Sequence, residues 1–154
     1  MRRMSATLER KKVATDFSES LIQLPAAERS AEESVSYKNL LTPILSSGTT
    51  IIDQPIAYPA GTPKVTAAVV VIPPGGETGW HLHKVPLFAY VLEGEVTVDY
   101  GEKGVKVVKA GEGILEAMDW AHNGMNKSDK PLHILAVYMG ADGVANAETA
   151  AGPQ

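Results

Sequence analysis

The chain contains no cysteine. Disulfides, thiolate metal sites, iron–sulfur clusters and a cysteine nucleophile are therefore excluded. It also lacks a basic excess: 14 Lys and Arg stand against 18 Asp and Glu, a formal charge of −4. Nucleic-acid and anionic-membrane surfaces need concentrated positive charge, so neither is an expected partner. No apolar run approaches the roughly 20 residues that span a bilayer. The start carries Thr7-Leu8-Glu9-Arg10-Lys11-Lys12 with no apolar core, which is not a secretory signal, and a cytoplasmic protein is expected. Gly75-Gly76-Glu77-Thr78-Gly79 lacks the lysine and following helix of a phosphate loop. No Ser–His–Asp arrangement has supporting context.

What is present suits one soluble domain. A chain of 154 residues, 44% hydrophobic and 21% charged, is long enough to bury a core without cross-links. Residues 1–36 differ in composition from the rest. Val13, Phe17, Leu21 and Leu24 recur at helical spacing before Pro25, so a partly helical N-terminal arm is expected there. Beyond it, β-branched runs alternate with glycine and proline. Thr49–Ile52, Lys64–Ile72, Leu87–Leu92, Glu95–Tyr100, Val105–Val108, Ile114–Ala117 and Pro131–Met139 read as strands. Gly101–Gly104 and Asn123-Gly124 read as turns. Short strands at this spacing, with no helices between them, indicate an all-β antiparallel sandwich or barrel over residues 37–140. The stretch 141–154, rich in Ala and Gly, is expected to be a flexible tail.

Histidine is scarce, with four in the chain, and two of them are close together. His81 and His83 follow the glycine-rich turn. In an extended strand they point to the same face, about the spacing that one metal ion bridges. A lone pair of this kind has little specificity, and two polar residues on a wet strand face would read the same way. His122 lies some forty residues on. His133 has apolar neighbours in the last strand and reads as a packed core or rim histidine.

Two blocks resemble the paired motifs of the cupin superfamily. The first family pattern is G-x5-H-x-H-x3/4-E-x6-G, and here Gly75, His81, His83 and Gly94 fall at its spacings. The second is G-x5-P-x-G-x2-H-x3-N, matched by Gly111, His122 and Asn126. The resemblance covers roughly residues 75–126. It implies a cupin-type barrel (jelly roll, double-stranded β-helix) in which His81, His83 and His122 bind one divalent metal. Gly94 and Gly111 would serve turns, and Asn126 a structural role. The family's glutamate ligand is missing: Leu87 and Phe88 stand where it should be. The proline and second glycine of the second block are replaced by Ala117 and Asp119. A three-histidine site, a substitute carboxylate and a degenerate site all remain open.

Three further residues are expected to line the pocket. Leu87 shares the parity of His83 and brings apolar surface. Glu116, in the strand leading to His122, is the first choice for a substitute ligand or base. Trp120, two residues before His122, is placed at the mouth, whereas Trp80 points the opposite way from His81 and packs. Imidazoles suit iron, zinc, manganese, nickel and copper alike. Three neutral ligands leave a divalent ion its full charge, so an anionic or chelating ligand is expected to bind. The first functional reading is a dioxygenase using Fe2+ on a small polar or chelating substrate. The alternative is a non-catalytic small-molecule or metal-binding and sensing module. An isomerase or lyase, and a barrel without its metal, rank lower. The resemblance, the apolar strand at Leu87–Leu92 and the arm together point to a homodimer.

Overall fold

The computed structural model describes residues 36–153. The expected arm and its stripe lie outside the described residues, except for Ser36. Tyr37–Leu40 forms a single 3-10 turn. The unit from Thr42 onward is all-β. Among the described residues its strands are β1 (Pro63–Ile72), β2 (His81–Leu82), β3 (Leu87–Glu93), β4 (Glu95–Asp99), β5 (Val105–Lys109), β6 (Gly113–Leu115), β7 (Asn123–Met125), β8 (Leu132–Ala141) and β9 (Glu148–Thr149). No described helix is long and apolar enough to cross a membrane.

One sheet runs β1-β8-β3-β6, a second runs β5-β4-β7, and β2 pairs with β9. Every ladder is antiparallel. The longest joins β1 to β8 without interruption, from Pro63↔Ala141 to Ile72↔Leu132. Strand alternation then sorts the side chains. Leu87, Ala89 and Val91 of β3 and Ile134, Ala136 and Tyr138 of β8 face the interior cavity. Val96 and Val98 face it from the second sheet. The core between the sheets holds Val91, Val96, Val98, Tyr100, Val108 and Leu132. Each such side chain, fully buried, contributes about 1.5–3 kcal/mol.

The crossing between sheets is built from a bulge and a glycine. The register of β3 on β8 shifts between Val91 and Glu93, which bends the strand. Gly94 follows at φ 88°, in the left-handed region that favours glycine, and the chain enters β4.

Two expectations are corrected. Thr49–Ile52 is not a strand: it makes one bridge, Thr49↔Pro55. The Thr50 hydroxyl accepts from the Gln54 amide at 3.1 Å, Asp53 adopts φ 64°, and the chain turns back. Asn123-Gly124 is not a turn but part of β7. A Cβ at Gly124 would meet the Thr78 side chain at an ordinary contact distance of 3.4 Å, and Asn123 Nδ2 donates to Glu77 Oε2 at 2.9 Å. Beyond Gly140 the chain adds the two-residue strand β9 against β2.

Candidate metal centre

The backbone brings the three motif histidines together. His81 and His122 oppose each other on neighbouring segments, and each N–H donates to the other's carbonyl, at 3.0 and 2.9 Å. Directly opposed residues of an antiparallel pair present their side chains on the same face. His83, two residues beyond His81, shares that face and bridges Met118. The loop at Met118 is clamped in turn. The Gln54 side chain donates to the Met118 carbonyl at 2.9 Å and accepts from its N–H at 3.0 Å. The ring centroids lie 4.5 Å (His81–His122), 4.9 Å (His81–His83) and 5.1 Å (His83–His122) apart. One ligand atom from each ring lies within 4.8 Å of the other two.

Hydrogen bonds fix how these rings are protonated. Nδ1 of His81 meets the Gly79 carbonyl, Nδ1 of His122 the Trp120 carbonyl, and Nδ1 of His83 the Asn146 carbonyl, each at 2.8 Å. A carbonyl only accepts, so each Nδ1 must carry a proton, and in the neutral ring Nε2 keeps its lone pair. Metal-binding imidazoles are held in the same way by a partner on the other nitrogen. Burial also pushes His83 and His122 down to about 4, so both are neutral near pH 7. Converging neutral imidazoles at this spacing fit a divalent transition ion.

Glu116 is the one carboxylate lining the cavity among the described residues. It is buried, and burial raises its pKa. The Tyr100 hydroxyl donates to Oε1 at 2.5 Å, and the Ala117 N–H donates to the same oxygen at 2.8 Å. Oε2 lies 3.9 Å from Nε2 of His122. With His122 neutral, that contact is not an ion pair. The cavity measures about 80 Å³, room for a few water molecules or a ligand of similar size. Its walls are aliphatic apart from the histidines, Glu116, Thr78 and Tyr138.

Leu87 lines this cavity, as its parity requires, and Phe88 faces the opposite side of the sheet in a surface pocket with Leu45 and Ile56. Neither position supplies a carboxylate. Trp120 does not reach the cavity. It lines a separate open groove with Trp80, donates to the Tyr100 carbonyl at 2.8 Å, and has Lys103 Nζ 5.4 Å from its ring centroid. Asp119, at φ 49°, breaks the extended chain between Trp120 and the strand before it. Only the Trp120 carbonyl serves the site. His133 sits at the sheet rim, with Nδ1 3.3 Å from Glu93 Oε2. Tyr100, Gln54, Tyr138 and the carbonyl of Asn146 were not singled out from the sequence. Tyr138 carries a signal in retrospect, since it has the inward parity of β8 and pairs with Leu87.

Residues 68–138 match the family described as Cupin domain. The sequence matches no curated protein significantly. A cupin-like protein from Thermotoga maritima is similar over 57% of this chain and 65% of its own, at 20% identity and a TM-score of 0.51. A conserved protein with a double-stranded beta-helix domain from Klebsiella pneumoniae is similar over 79% of this chain and 93% of its own, at 21% identity and TM-score 0.49. An oxalate decarboxylase from Lactobacillus farciminis is similar over 58% of this chain, at 24% identity and TM-score 0.49, but this covers only 27% of that longer protein. At these identities the likeness concerns the fold alone.

Proposed function

We propose that this chain, whose residues 68–138 match the Cupin domain family, binds one divalent transition metal through His81, His83 and His122 and acts as a dioxygenase on a small polar or chelating substrate, with Fe2+ the favoured ion. One observation carries the metal reading: three backbone carbonyls hold the three Nδ1 positions, leaving Nε2 of each ring free as a ligand, and one ligand atom from each ring lies within 4.8 Å of the other two. When bound, Fe2+ supplies Lewis acidity and a source of electrons for oxygen chemistry. The chain's own residues shape what reaches it. Leu87 and the aliphatic walls exclude water, which strengthens polar interactions inside. Three uncharged ligands favour an anionic or chelating group beside the ion. Burial favours the protonated form of Glu116, whose Oε2, beside His122, donates a hydrogen bond to that group while Tyr100 and the Ala117 N–H keep Oε1 in place.

The small cavity favours a second reading, a non-catalytic module that binds a metal and a small ligand. Anaerobic loading with Fe2+, followed by oxygen-electrode measurements with small 2-oxo acids and diketones, separates the two. Substrate-dependent oxygen uptake that Glu116→Gln reduces is expected of the enzyme. Ligand binding without uptake for any compound means the module.

We also propose a homodimer. Val65, Val69 and Val71 on the outer side of β1 are each more than half exposed, and β1 is an edge strand among the described residues. Soluble proteins generally cover such a surface. Light scattering is expected to give twice the 16.4 kDa chain mass, and a 16.4 kDa species contradicts it.

A further inference from the structure

The three histidines are not held alike. His81 and His122 each use the carbonyl two residues before them, while His83 uses that of Asn146, 63 positions away. Asn146 lies in the segment that leaves β8 and returns to pair with β2. Its attachments follow in order. The Asp142 N–H donates to the Thr62 carbonyl at 3.0 Å. Thr149 and Glu148 of β9 pair with His81 and Leu82. The Ala150 N–H donates to the Trp80 carbonyl at 3.0 Å. Gly152 lies flat on the Trp80 indole, where a Cβ would come within 2.8 Å of Nε1.

These attachments are nearly all backbone hydrogen bonds. Most side chains from Asp142 to Pro153 are exposed, and none is buried. A segment with so little buried apolar surface opens at low free-energy cost compared with the barrel strands. One of its carbonyls nevertheless fixes a ligand of the proposed metal.

We propose that residues 142–153 form a strap whose seating sets His83 for ligation: the seated Asn146 carbonyl fixes the tautomer and direction of that imidazole, and lifting the strap releases it. The inference rests on the three-histidine reading for its metal consequence only. By linkage, seating and metal affinity favour each other by the same factor. Partners of this outer kind typically change metal affinity about 10- to 100-fold.

The test compares the full-length chain with Gly152→Leu, whose side chain cannot lie on the Trp80 indole, and with a chain shortened after Gly143. Imidazole nitrogen NMR of the metal-free proteins reads the tautomers, and amide exchange at Ala150 reads the strap in the two longer chains. In the full-length chain His83 is expected as the Nδ1–H form alone. Where the strap is lifted, His83 becomes a mixture of tautomers while His81 and His122, with their local carbonyls, stay as they were. Co2+ titration then gives an affinity about 10- to 100-fold weaker and an altered visible spectrum. In the full-length chain Co2+ slows Ala150 exchange by the same factor. His83 remaining Nδ1–H with the strap lifted, or all three histidines changing together, overturns the proposal. So does Ala150 exchange that is indifferent to bound Co2+. A full-length chain that binds no Co2+ would remove the metal reading and leave the tautomer comparison to decide the strap.

Discussion

The hydroxyl of Tyr100 donates to Oε1 of Glu116, and both residues are buried beside the histidine cluster. Burial raises the pKa of both groups, and the nearby carboxylate raises that of the tyrosine further, so the tyrosine keeps its proton and its role as donor. Removing a partner from a buried polar group costs about 1–3 kcal/mol. Tyr100→Phe is therefore expected to lower stability by about that amount in chemical denaturation. Glu116→Gln keeps an oxygen to accept from Tyr100 and the Ala117 N–H, and is expected to remain close to the unmodified protein. Equal stability of Tyr100→Phe and the unmodified chain would show that this pair does not hold the carboxylate.

Asn126 is a second buried polar centre, 1% exposed. Its amide donates to the carbonyls of Ile72, Pro73 and Lys130, and its oxygen accepts from the Ser128 N–H and hydroxyl. It ties the end of β1 to the turn before β8. Asn126→Ala orphans several buried groups at once and is expected to cost about 3 kcal/mol or more, with the metal stoichiometry of the folded fraction unchanged. A loss below about 1 kcal/mol would contradict this structural role.

Acid is expected to destabilise the metal-free protein through its buried histidines. Burial lowers His83 and His122 from 6.5 to about 4. Above pH 6.5 both are neutral whether the chain is folded or not, and nothing is lost. As pH falls from 6.5 toward 4, the unfolded chain takes up protons there that the folded chain refuses. Stability then drops by up to about 1.4 kcal/mol per pH unit for each histidine, and this contribution levels off below 4. Glu116 acts in the opposite sense, because its raised pKa lets the folded chain bind a proton sooner than the unfolded one. Denaturant midpoints of chelator-treated protein should fall between pH 7 and 5, and more steeply in Glu116→Gln. A midpoint that stays level or rises would contradict these environments.

The parts legible in the sequence are those written in side-chain spacing. The parity of His81 and His83 and the β-branched run ending at Ile72 each appear as read, whereas the alternation expected along Glu95–Asp99 leaves no wet face, because Thr97 is buried along with Val96 and Val98. Leu87 falls on the cavity side for the same reason. Parity failed at Trp120, because residues 120–122 lie before β7 and outside any strand, where the alternation rule does not hold. The dipeptide Asn123-Gly124 has the composition of a turn, yet it pairs with Asp99 and Val98 as part of β7. The carbonyls that orient the three rings leave no trace in residue type. The Asn146 carbonyl is the least legible of them, since it acts from 63 positions away.

Metal content tests the three-histidine site at its root. Plasma mass spectrometry of the untagged chain, beside the combined His81→Ala, His83→Ala, His122→Ala variant, should find about one transition ion per chain in the first and none in the second. Equal metal in both proteins would contradict the site. So would no metal in the unmodified chain after reconstitution with iron, zinc, manganese, copper and nickel in turn.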